Sequence, residues 1–226
     1  MLNKLYAYKF DFFLITQIAI LFGSLLVPAT VFEFLSPILF FINILAGSLF
    51  LGTHQKNRNW IIVFVLFIIG GVFVLSAFDK SSNQVINYLI IGVLFLFHIV
   101  VTYKIITEIW NAKLVNKTVI FGVMSGFISL GLIGFFMCIS IEVIDPNSFS
   151  GLNVQDNNAI TERLMYFSYI TLLTIGYGDI LPVTNLAQKA TILIGLLGQF
   201  YLVIITGIVV GKFINQSNKK DVKKND

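Results

Sequence analysis

Residues 174–179 read Thr-Ile-Gly-Tyr-Gly-Asp, with two glycines one residue apart. Glycine takes positive φ without steric cost. A backbone that alternates between left- and right-handed dihedrals turns successive carbonyl oxygens the same way. Rings of such carbonyls can replace the hydration shell of a cation. Thr174 adds a hydroxyl below them, and Ile175 and Tyr177 are expected to point backwards and pack against the helix that precedes the run. The chemistry on offer is therefore cation coordination by main chain. Catalytic arrangements are not visible: there is no H-E-x-x-H, no serine–histidine pattern and no intramembrane carboxylate pair. An enzyme is not expected, and no cofactor is required beyond the ion itself.

The elements that must hold this run are apolar. Of 226 residues, 57% are hydrophobic and only 12% charged, with a mean hydropathy of +0.90. A soluble domain is about a quarter charged, so the composition points to a polytopic membrane protein and away from soluble, disulfide-rich and disordered classes. The single cysteine, Cys138, has no intrachain partner to pair with. A crossing helix needs ~20 residues. Six stretches qualify: 10–27, 34–52, 60–78, 85–103, 118–141 and 188–213. The first carries Asp11 and Gln17 and follows Lys4 and Lys9. Its apolar run is long for a signal peptide and lacks a close cleavage site, so it is read as a retained span.

Between the last two spans, residues 142–187 open polar and then turn apolar over 164–173, too short to cross. That length suits a re-entrant segment. Thr161 is the expected cap of this helix, with Glu162 suiting its positive end. Orientation follows from the cations. With a cytoplasmic N-terminus, every lysine and arginine except Lys80, Arg163 and Lys189 lies inside, and both termini are cytoplasmic. The net charge of +4 is thus a topology signal, and no nucleic-acid partner is implied. The outer acids, Asp179 among them, favour cations at the mouth.

The motif resembles the selectivity filter of potassium channels, with isoleucine where valine is commonest. Tyr166 and Phe167 match the aromatic pair of the pore helix, Pro182 follows at the usual distance, and residues 198–202 look like the inner helix of bacterial two-helix pore modules. The resemblance covers about 118–213. It implies an all-α integral membrane fold: six transmembrane helices, a re-entrant pore helix and a filter loop. It also implies K+ as permeant ion, held by Thr174, Ile175, Gly176 and Tyr177, with Gly178 completing the filter. In the family an acid at the position of Asp179 accepts a hydrogen bond from a pore-helix aromatic, here Tyr166. Ile170 stands where some relatives carry a buried glutamate. One filter per chain cannot enclose an axis, so a homotetramer in membrane lipid is expected.

Gly198 matches the hinge glycine of inner helices. Thr206 is expected to line the cavity, and Gly207 to Ile214, with Gly211, the inner gate. Gly195, Gly207 and Gly211 also fit close helix packing. His98, the one histidine within a span, is read as packed near the cytoplasmic end of its helix. Span four has no arginine or lysine, so strong voltage sensing by a charge ladder is not expected.

The expected division is 1–9 cytoplasmic, 10–103 four helices, 104–117 linker, 118–213 pore domain and 214–226 a short disordered tail. Within the pore domain fall the outer helix 118–141, pore helix 161–173, filter 174–178 and inner helix 188–213. The expected function is passive, potassium-selective conduction in a cell membrane, prokaryotic by composition. The alternatives are a subunit of a potassium uptake transporter, which would carry four unequal filter copies in one chain, and a regulatory, non-conducting channel subunit.

Overall fold

The computed structural model describes residues 8–51, 84–152 and 157–225. The expected span 60–78 lies outside them. Helix α1 is Lys9–Phe22 and α2 is Ala29–Ser48. Helix α3 is Gln84–Asn111 and α4 is Lys117–Ile144. Helix α5 is Asn157–Leu172 and α6 is Asn185–Phe200. A π-helical turn, Tyr201–Ile205, leads from α6 into α7, Thr206–Asn225. Among the described residues, three helical segments are long and apolar enough to cross a membrane: Tyr88–Asn111, Lys117–Ile144 and Asn185–Asn218.

Several boundaries differ from the hydropathy reading. Helix α1 stops at Phe22, and Gly23–Leu25 tightens into a 3-10 turn. Pro28 then fixes the entry into α2 with an extended ψ of 145°. Helix α3 runs to Asn111, so the expected linker 104–117 shrinks to 112–116. Lys104 and Glu108 are good helix formers, and hydropathy alone ends a helix too early there. His98 is consequently mid-helix rather than near an end. The tail is helical to Asn225 rather than disordered.

Helix α4 is the hub, packed on α1, α3, α5 and α6. Lipid tails are as apolar as leucine, so burial gives little drive for helices to associate in a membrane. Small residues and hydrogen bonds decide instead. Gly122 of α4 admits Phe10 and Ile109, Gly126 admits the Tyr201 ring, Gly131 admits Tyr169, and Gly134 admits Ser168 and Ile194. A polar layer then ties α1 to α4. Gln17, fully buried, donates to Ser129 Oγ at 2.7 Å and to the Ser125 carbonyl at 3.3 Å. Its Oε1 accepts from Ser125 Oγ at 2.8 Å. Asn43 of α2 donates to Thr16 Oγ1 at 2.9 Å. His98 is packed between Phe97 and Phe136, its Nδ1 2.8 Å from the Leu94 carbonyl.

At the N-terminal end of α1, Lys9 pairs with Glu108 at 2.6 Å and lies over the Phe10 and Phe50 rings. Its partner is thus a residue of α3.

Candidate functional site

The expected filter follows the C-terminus of α5. Helix α5 starts at Asn157, so Thr161 is inside it rather than its cap, and Glu162 falls beyond its first turn. The helix is pinned to α4 from one side. Ser168 Oγ donates to the Gly131 carbonyl at 2.7 Å, and Tyr169 Oη to the Ile128 carbonyl at 2.7 Å. Leu164, Phe167 and Leu172 are buried on that side.

The chain leaves α5 through a left-handed residue. The Thr174 N–H bonds the Thr171 carbonyl at 3.0 Å, and the Ile175 N–H reaches back to the Ile170 carbonyl at 2.8 Å. This pair of bonds is the Schellman ending of a helix, which places its left-handed residue at 174. Thr174 has φ +57°. Glycine is the usual occupant, and a β-branched residue there is strained. The helix end therefore keeps a hydroxyl at a backbone cost. Gly176 and Gly178 follow with φ +57° and +81°, while Ile175 and Tyr177 keep negative φ. The sign of φ thus alternates over five residues.

Every residue of 173–179 is exposed within one chain. Ile175 is 49% exposed and Tyr177 73%. Among the described residues nothing else comes within 4 Å of a Cβ built at Gly176 or Gly178. Among the described residues the run is a strip bonded only to the end of α5 behind it.

Its outer end is held tightly. Tyr166 Oη donates to Asp179 Oδ1 at 3.3 Å, bringing together two residues the sequence had paired. Phe167 is buried and stacks edge-on against Phe149, ring centroids 5.2 Å apart. Other residues there were missed by sequence reasoning. Strand β1, Phe149–Ser150, pairs antiparallel with β2, Leu181–Pro182. The Glu142 carboxylate accepts from the N–H groups of Asn147 at 2.8 Å and Phe149 at 3.1 Å, shaping the turn before β1. Asn147 is left-handed, φ +68°, as asparagine tolerates. The only signals were turn residues, Asp145 to Ser148, with an acid upstream.

Helix α6 is capped by Thr184, whose Oγ1 accepts from the Ala187 N–H at 3.3 Å. Its buried residues Ala187, Ala190, Ile194 and Gly198 form one face, continued by Tyr201 and Ile205. Gly198 lies where a Cβ would run into the Leu172 carbonyl oxygen. Close approach to the end of α5 thus explains this glycine, and the departure from α geometry begins three residues later, at Tyr201. Among the described residues Gly195, Gly207 and Gly211 meet nothing within 4 Å of a built Cβ, so they do not serve packing against any of those residues. Thr206 is exposed at the start of α7. Farther along, Lys212 Nζ donates to the carbonyls of Ile109, Trp110 and Ala112 at 3.3, 2.5 and 2.8 Å. Gln216 Oε1 accepts from the Val115 N–H at 2.9 Å. Two residues of α7 thereby grip the short link between α3 and α4.

Residues 149–215, from β1 into α7, match a family model described as Ion channel, Ion_trans_2. The match takes in the pore helix, the 174–178 run and most of the long exposed helix after it. No curated protein and no solved structure matches the chain. The chain is a multi-pass membrane protein with an ion-channel-like segment in its C-terminal half.

Proposed function

We propose that the chain forms a passive, potassium-selective channel, with 174–178 as its filter at the axis of a homotetramer. The observation that carries this is the alternating φ at Thr174, Gly176 and Gly178 along a strip with no partner among the described residues of its own chain. Alternation aims successive carbonyls to one side, and four such strips around an axis give a dehydrated ion a full oxygen shell. The Thr174 hydroxyl adds the lowest ring, which gives its strain a purpose. Ile175 and Tyr177, exposed in one chain, pack against the neighbouring subunit's filter region in this assembly. Tyr166 and Asp179 brace the mouth.

The exposed apolar side of α6 and α7 fits both the neighbouring subunits and lipid. The π turn at 201–205 lets the inner helix change direction without losing its hydrogen-bonded path, since such turns recur where helices work. Thr206, Gly207 and Gly211 follow it and line the cavity and gate. Helix α3 supplies no cation ladder among its described residues, so gating by strong voltage sensing is not part of the reading. Conduction runs downhill across a cell membrane with both termini cytoplasmic.

The test is flux into liposomes holding only the purified protein. Potassium-selective uptake that barium blocks, from a tetramer, is the expected result. A well-assembled tetramer that passes sodium as readily overturns the filter reading. A tetramer that passes neither ion under any membrane potential favours the non-conducting subunit.

A further inference from the structure

Arg163 sits on α5, on the outer side of the filter, and its role is not accounted for by the filter itself. Its Nη2 donates to the Gly151 carbonyl at 2.8 Å. Among the described residues its Nε is buried without a hydrogen-bond partner and it makes no ion pair. A guanidinium held half-buried, with one donor unsatisfied, is costly. Its place is explained by what Gly151 touches.

Gly151 follows β1 and has φ +84°. A Cβ there would run into the Asp179 carbonyl oxygen, and would lie 3.1 Å from its carbonyl carbon and 3.3 Å from Ile180 Cα. Gly151 therefore lies directly against the peptide that leaves the filter. The strand pair holds the same region, Ser150 facing Leu181 and Phe149 facing Pro182. The Val183 N–H adds a bond to the Ser148 carbonyl at 2.8 Å. One end of this strap is fixed by Glu142, which accepts from Asn147 and Phe149. The other end is fixed by Arg163.

We infer that Arg163 and Gly151 are positioning residues for the filter: the guanidinium clamps residue 151 against the 179 peptide and fixes where the outermost carbonyls stand. The inference rests on the filter reading above. The clamp acts on backbone, whereas the Tyr166 bond acts on the Asp179 side chain. The two brace the filter exit from different sides.

The contact is between a charged donor and a carbonyl, so its loss is expected to be felt well beyond a neutral bond. Three variants separate positioning from charge. Arg163→Met removes the donor and the charge while keeping an unbranched stem. Arg163→Lys keeps the charge and a single donor. Gly151→Ala keeps every side chain of the network but displaces the 179 peptide.

The readouts are the potassium-to-sodium permeability ratio in liposomes and the rise in tetramer dissociation temperature when potassium replaces sodium. Both report on the ion sites themselves. A change in surface charge alone alters current size and leaves them in place.

Arg163→Met and Gly151→Ala are expected to lower the ratio by about tenfold or more, the scale of one lost charge-assisted bond, and to shrink the potassium-dependent rise. Arg163→Lys stays closer to the parent. A parent ratio retained in either Arg163→Met or Gly151→Ala overturns the inference, as does equal loss in the Lys and Met variants. Should Arg163→Met fail to assemble, Gly151→Ala carries the test by itself. If the unaltered protein shows no potassium preference, it is the filter reading that has failed, not the clamp.

Discussion

Replacing Gly176 or Gly178 by alanine isolates the backbone's part in ion choice. A Cβ at either position meets nothing within 4 Å among the described residues. The cost is therefore conformational. An L-residue in the left-handed region costs about 1–2 kcal/mol, and four copies around a pore cost about 4–8 kcal/mol together. A hundredfold preference between two ions is only about 2.7 kcal/mol. The strain exceeds the selectivity it would have to preserve, so the ring relaxes to negative φ and turns its carbonyls away. Helix packing does not depend on either glycine, so the tetramer persists. The assay is parallel potassium and sodium flux into liposomes, with size-exclusion chromatography on the same preparation. The permeability ratio is expected to fall toward one in both variants with assembly unchanged. A parent-like ratio from either would refute the reasoning.

Other substitutions test the surrounding parts. Thr174→Gly relieves a β-branched residue at φ +57° and should stabilise the fold by up to about 1 kcal/mol after glycine's own entropy cost, read as a slightly higher unfolding temperature. It should also weaken potassium's protection of the tetramer, which Thr174→Ser retains; equal protection in all three chains would remove the hydroxyl from the site. Gln17→Leu deletes the bonds to Ser125 and Ser129 and should cost about 1–2 kcal/mol, read as a lower denaturation midpoint in detergent with the filter's ion preference unchanged. Lys212→Met frees the carbonyls at the end of α3. Amide exchange over 109–116 should quicken by about tenfold, as for one lost charged bond, and unchanged exchange would show the grip to be incidental.

The apolar helices were legible because hydropathy reports what lipid tolerates. The expected 118–141 became Lys117–Ile144, and 161–173 became Asn157–Leu172. Where helices continue past the apolar stretch, hydropathy falls silent, and so α3 and α7 both outran their expected ends. The run 174–178 announced itself because alternate glycines are a backbone requirement written in residue type. The strained Thr174 did not, because a threonine at positive φ follows no propensity. Lateral contacts were equally hidden. Nothing in the spacing of Lys9 and Glu108, or of Gly151 and Asp179, says that they meet; the packing of α1 and α3 on α4 and of β1 on β2 brings them together.

The central claim is that a ring of main-chain oxygens at 174–178 prefers potassium to sodium. The direct measurement is the reversal potential of the purified protein in a planar bilayer with potassium chloride on one side and equimolar sodium chloride on the other. A potassium filter drives the potassium side strongly negative, because potassium leaves it and little sodium returns. The account predicts that large potential, collapsing when Gly178→Ala replaces the parent. A conducting parent whose reversal potential stays near zero would contradict it.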